Sequence, residues 1–183
     1  MQGRDKGLIA LAGRPLIAYV AQRLRPQAAS LWISANRNHE RYRLFAERVI
    51  SDELDGFQGP LAGIATALAA AQTPWLLVAP CDTPLLPMDL GRRLADGLAA
   101  QHAAIAIAAD RERVQPLHAL IPTAVAADLG RYLATGERSV LGWLAGHRLA
   151  VVAFADAGNA FRNANTPDDL AALAGQLPSH RSG

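Results

Sequence analysis

Cysteine occurs once in the 183 residues, at Cys81, so no disulfide can close within the chain and a cysteine-built zinc site lacks its ligands. Charge of one sign is lacking too. With 18 basic and 16 acidic residues the formal net charge is +2, which argues against a strongly basic nucleic-acid surface. Aromatic residues make up 5% and do not interleave with arginines, as a platform for single-stranded nucleic acid requires. No apolar run approaches the ~20 residues that span a bilayer. The stretch Met1 to Lys6 has no signal-peptide core. The expectation is a soluble cytoplasmic protein engaging neither membrane nor nucleic acid. The histidines His39, His102, His118, His147 and His180 form no i,i+4 pair, which disfavours a metallohydrolase, and the G-x-x-x-x-G-K-[ST] phosphate loop is absent.

Lysine is almost absent as well. Of the 18 basic residues, 17 are arginine and one, Lys6, is lysine, while alanine is about a fifth of the chain. Such a bias replaces lysine wherever any cation suffices. The one that survives, in the loop Gly3-Arg4-Asp5-Lys6-Gly7, points to a place where a compact ammonium is needed, although chance explains it equally well.

What is abundant is apolar: 51% of the residues, enough for one domain with a sizeable core. Helical and strand-like segments alternate. Helices are expected over 14–25, 40–47, 60–71, 87–100, 123–134, 139–145 and 167–177. Strands are expected over 31–35, 49–50, 75–79, 103–108, 117–121 and 149–154, with the turn Asp110-Arg111-Glu112-Arg113 joining two of them. The run Trp75 to Ala79 reads as a strand buried on both faces. Strands separated by helices of this length imply βαβ units, hence an α/β, Rossmann-like fold with a mostly parallel sheet covered on both faces. Residues 1–177 read as one domain and 178–183 as a disordered tail.

In such a sheet ligands bind beyond the carboxyl ends of the strands. That rule selects Ser34-Ala35-Asn36, Ser51-Asp52 and Pro80-Cys81-Asp82. Asp82 could bridge Mg²⁺ to a polyphosphate, or merely cap the next turn. Lys6 and its flanking glycines suit phosphate oxygens, as any flexible basic terminus would. Gly59-Pro60-Leu61-Ala62-Gly63 opens a helix, where free N–H groups suit an anion or a base edge and small residues equally suit close packing. In Asn163-Ala164-Asn165-Thr166-Pro167, Thr166 is a good N-cap, and both asparagines exceed what capping needs. Cys81 reads as a buried thiol rather than a nucleophile.

Taken in order, Asp5-Lys6-Gly7-Leu8, Gly13-Arg14-Pro15-Leu16, Ala35-Asn36-Arg37, Ile50-Ser51-Asp52, Gly59-Pro60-Leu61-Ala62-Gly63, Pro80-Cys81-Asp82-Thr83-Pro84, Gly136-Glu137-Arg138 and Asn163-Ala164-Asn165-Thr166-Pro167 resemble the MobA family of molybdenum cofactor guanylyltransferases. The resemblance implies a nucleotidyltransferase fold and transfer of GMP from GTP to the terminal phosphate of molybdopterin. It implies Lys6 on nucleotide phosphate, Asp52 and the weaker Ser34 on the nucleotide, Asp82 as the Mg²⁺ ligand, and Asn163 and Asn165 on the molybdopterin side. Ser34 stands where the family typically has asparagine. GTP and molybdopterin are the implied substrates, with transient contact to molybdenum enzymes or their chaperones. Family members open with a strand and a Leu-Ala-Gly-Gly loop ahead of the motif at Asp5, so roughly 15–20 residues, including a ~5–6-residue internal strand, are expected before Met1. An upstream reading frame encoding no Leu-Ala-Gly-Gly would refute that.

Rival expectations are cytidylyl transfer, whose branch typically has Asp-x-Asp-Thr-Pro where Asn163-Ala164-Asn165-Thr166-Pro167 stands, and a non-catalytic module that binds or delivers the pterin. A sugar-phosphate nucleotidyltransferase lacks room for its added domains, and an oxidoreductase lacks its G-x-G-x-x-G.

Overall fold

The computed structural model describes residues 5–51 and 59–177. A 3-10 turn at Lys6–Leu8 leads into a hairpin of β1 (Ala10–Leu11) and β2 (Arg14–Pro15), whose turn residues Ala12 and Gly13 both take positive φ, 46° and 79°. There follow α1 (Leu16–Leu24), β3 (Trp32–Ser34), α2 (His39–Tyr42), β4 (Arg48–Ile50), α3 (Pro60–Ala70) and β5 (Trp75–Val78). The second half comprises α4 (Leu90–Gln101), β6 (Ile105–Ala109), β7 (Val114–Pro122), α5 (Ala126–Ala134), α6 (Val140–Leu144), β8 (Leu149–Ala153) and α7 (Pro167–Ala174).

Among the described residues four strands form a sheet in the order β5-β7-β6-β8, and β3 pairs with β4 in parallel as a separate two-stranded sheet. Strand β6 runs parallel to β8, and β7 runs antiparallel to both β6 and β5. Three of the four strands therefore share one direction and the sheet is mixed. The reversal of β7 has a local cause. Four residues separate β6 from β7, too few for a crossover, and Asp110 Oδ1 closes the turn by accepting from the Glu112 and Arg113 amides, both at 2.8 Å.

Alternation along β6 divides the core. Ile105 and Ile107 pack with Leu61, Ile64 and Leu68 of α3, Leu129 and Leu133 of α5, and Trp143 of α6. Ala106 and Ala108 pack with Val20 and Leu24 of α1 and Leu90, Leu94 and Leu98 of α4. Helices thus cover both faces, as a period of two requires. A third cluster joins Leu11, Leu16 and Tyr19 to Ala164 and to Leu173 of α7.

Two expectations are corrected. β5 is not buried on both faces: Trp75 is 44% exposed, and Leu76, Leu77 and Val78 are half-buried. Arg14 and Pro15 belong to the hairpin rather than to a helix, because Leu16 N–H donates to the Ile9 carbonyl at 2.9 Å and so ties the chain back on itself.

Candidate active site

The 3-10 turn carrying Lys6, the loop after β5 and the loop before α7 meet at one place. Lys6 Nζ donates to Asn165 Oδ1 at 2.9 Å and stands 3.5 Å from Asp82 Oδ2. Side chains from distant parts of the sequence thereby converge on the one lysine. The loops are also joined through backbone, since Ala164 N–H donates to the Asp82 carbonyl at 3.0 Å. Asp82 is 6% exposed, whereas half of the Lys6 side chain faces solvent. The result is a guarded carboxylate beside an accessible ammonium beyond the carboxyl end of β5.

Each part is held by identifiable local chemistry. Gly7 lies so close to Tyr42 and Cys81 that a Cβ there would stand 2.6 Å from Tyr42 Oη and 3.3 Å from Cys81 Cβ, so a side chain after Lys6 would push the turn away. Asp5 anchors the turn from the other side. Its carboxylate accepts from the Tyr42 hydroxyl and from Asn38 Nδ2 at 2.9 Å, and it lies 3.7 Å from Arg37 Nε. Burial and this bond to Asp5 push the Tyr42 phenol far above its ordinary range, so it remains a donor. Thr166 caps α7 in a reciprocal box with Asp169, and Asp169 Oδ2 also accepts from the Asn165 amide at 3.3 Å, which fixes the backbone of the loop. Burial raises the Cys81 thiol to about 11, so it is no thiolate nucleophile near neutral pH.

Lys6, Asp82 and Asn165 are in direct contact. Asn163 lies half-buried in the same loop, two residues before Asn165. Ser34 is exposed at the carboxyl end of β3, next to the loop that Asn38 ties to Asp5. Asp52 lies outside the described residues, as do Gly3 and Arg4; its neighbour Ser51 follows β4, with Oγ 3.2 Å from His39 Nε2. Among the described residues no three His, Cys, Asp or Glu side chains cluster to hold a metal, and no helix is long and apolar enough to cross a membrane. One carboxylate suffices for a hard cation whose remaining ligands are phosphates and water, so Asp82 suits Mg²⁺ better than a metal needing an all-protein cage.

Asp5, Tyr42, Thr83 and His118 were not singled out as functional residues by sequence. No spacing links Asp5 to residues 33 and 37 positions away. His118 did carry a signal, as the one polar side chain in Leu117-His118-Ala119-Leu120-Ile121.

Residues 1–150 match the family of MobA-like NTP transferase domains. The chain belongs to this family. A molybdenum cofactor guanylyltransferase of Shewanella sp. (strain MR-4) is 46% identical over 177 residues, spanning 97% of this chain and 90% of that protein. One of Shewanella halifaxensis (strain HAW-EB4) is 41% identical over 182 residues, spanning 100% and 91%. Two crystal structures share the fold. Molybdopterin-guanine dinucleotide biosynthesis protein A from Archaeoglobus fulgidus superposes with a TM-score of 0.76 at 24% identity, over 96% of this chain and 93% of that one. The 2-C-methyl-D-erythritol 4-phosphate cytidylyltransferase from Thermus thermophilus does so at 0.72 and 20% identity, over 93% of both chains. The MobA-like family is one of nucleotidyltransferases, so the contacts around Lys6 can be weighed against that chemistry.

Proposed function

We propose that this chain transfers the GMP moiety of GTP to the terminal phosphate of molybdopterin, forming molybdopterin guanine dinucleotide and releasing diphosphate. The observation that carries the reading is the meeting of Lys6, Asp82 and Asn165, in a chain up to 46% identical to molybdenum cofactor guanylyltransferases. A phosphate oxygen of molybdopterin attacks the α-phosphorus of GTP in line. The new P–O bond forms as the bond from the α-phosphorus to the bridging oxygen breaks, and the electron pair leaves with diphosphate. The attacking phosphate is already ionised near neutral pH, so no general base is required.

The task left to the protein is to hold two mutually repelling anions together. Asp82 is the residue to hold Mg²⁺, which when bound supplies positive charge to the triphosphate. Lys6, exposed and next to Asp82, receives phosphate oxygens and stabilises charge as it moves toward the leaving diphosphate. Ser34 and Asp52 serve the nucleotide; Asn163 and Asn165 serve molybdopterin. Asn165 has a second task, since its amide oxygen orients the Lys6 ammonium toward Asp82. Transient contact with molybdenum enzymes or their chaperones would pass the product on.

Incubation with Mg²⁺, GTP and molybdopterin tests this. Asp82→Ala is expected to lower turnover more than about a hundredfold, or ~3 kcal/mol of barrier. Unchanged turnover in that variant removes the metal assignment. Diphosphate release from CTP in preference to GTP would establish cytidylyl transfer. Molybdopterin binding without release from either would establish a carrier.

A further inference from the structure

The reaction described above has no role for His118, yet His118 touches both loops that form the site. It sits on β7 and is 1% exposed. Its Nε2 lies 3.2 Å from Thr83 Oγ1, and Thr83 directly follows Asp82. The Thr83 hydroxyl donates to the Pro80 carbonyl at 3.2 Å. Its single proton being thus used, Thr83 accepts from His118, and Nε2 carries the hydrogen. On its other side the His118 ring meets Phe161 edge to face, with centroids 4.7 Å apart and planes at 73°. Phe161, two residues before Asn163, is itself wedged against Phe154 with centroids 5.3 Å apart.

The second imidazole nitrogen, Nδ1, is buried without a hydrogen-bond partner among the described residues. Burying an unmatched polar atom opposes folding, and an aliphatic side chain of similar volume would fill the space without that cost. Packing alone therefore does not account for a histidine here. The contact to Thr83 does, because an aliphatic side chain could seat Phe161 and could not donate to a hydroxyl.

We propose that His118 is a positioning residue for phosphoryl transfer. It holds the turn carrying Asp82 and the loop carrying Asn163 and Asn165 at one separation, so that Asp82 and Asn165 both reach Lys6. Its effect passes through Thr83 to Asp82 and through Phe161 to Asn165. The link between the loops, Ala164 N–H on the Asp82 carbonyl, is where any loss of spacing would first register. The assignment of a role in transfer rests on the guanylyltransferase reading; the coupling of the loops does not.

The test pairs His118→Leu, which removes the donor, with His118→Gln, whose terminal amide restores an N–H near Nε2. Amide hydrogen exchange at Ala164 reads the coupling without any substrate. In His118→Leu the protection of Ala164 should fall at least about tenfold while that of Ala106, in the centre of the sheet, stays unchanged. With Mg²⁺, GTP and molybdopterin, kcat should fall on the order of tenfold and the KM for GTP move less than about twofold, and His118→Gln should recover most of both losses. If His118→Leu does not fold, Thr83→Val breaks the same bond from its other end and is read the same way. Unchanged protection at Ala164 overturns the inference. So does lost protection with full turnover, or a His118→Gln protein no better than His118→Leu. Should the unaltered enzyme itself fail to turn over GTP while Ala164 loses protection in His118→Leu, the coupling stands and the guanylyltransferase reading falls.

Discussion

At the scale of single residues, Lys6 is the test of whether an amino-acid bias can be read as a functional signal. Seventeen arginines against one lysine leave Lys6 conspicuous, and the structure puts its ammonium 2.9 Å from Asn165 Oδ1 and 3.5 Å from Asp82 Oδ2. A planar guanidinium is longer and carries its donors in a fixed fork, so it cannot occupy that gap as a point charge does. Lys6→Arg keeps the charge and should nevertheless lower kcat about ten- to a hundredfold, ~1.4–2.7 kcal/mol, in a steady-state diphosphate-release assay. Turnover within about twofold of the parent would mean that any cation serves. Lys6 and Asp82 were legible because each stands out locally, one as the lone lysine and the other directly beyond an apolar strand. Asp5 was not. Its carboxylate works through Tyr42 and Asn38, and contacts of that range leave no periodicity in the sequence.

Among elements, the helices and strands whose apolar spacing is regular were legible, and β6 and α4 are the clearest. What spacing could not convey is direction. The apolar spacing of β7 reads the same in a parallel or an antiparallel strand, and its reversal follows from a turn at Asp110 too short for a crossover. Close approach is a further property hidden from sequence. Gly97, inside α4, looks like a simple weakness, since alanine is the better helix former by ~1 kcal/mol. In the folded chain a Cβ at Gly97 would overlap the Cγ2 methyl of Val152 on β8, and a β-branched side chain has little freedom to turn away. Gly97→Ala should therefore destabilise the protein by about 1–3 kcal/mol despite its higher helix propensity, as read by the urea midpoint. A midpoint equal to or above the parent's would mean that α4 and β8 yield freely.

For the molecule as a whole, stability against pH ties the core to the site. Burial pushes the His118 imidazole down to about 3, against an ordinary value of ~6.5. Between those values the unfolded chain binds a proton that the folded chain does not. Stability is therefore intact above ~6.5 and falls as pH drops toward 3. Glu47, Asp128, Asp156 and Asp169 are held below the ordinary carboxylate range by hydrogen bonds, foremost from the Leu31 amide, the Trp143 indole, Arg93 and Thr166 respectively. Their contribution is present above ~4 and is lost only as pH falls below that, so it does not overlap the upper part of the His118 window. Urea unfolding at pH 6.5 and pH 5 isolates the histidine: the parent should lose about 1.5–2 kcal/mol over that interval, and His118→Leu should lose almost none of it. A parent with no slope there, or a His118→Leu variant with the same slope, would place the neutral imidazole outside the core that joins the two loops.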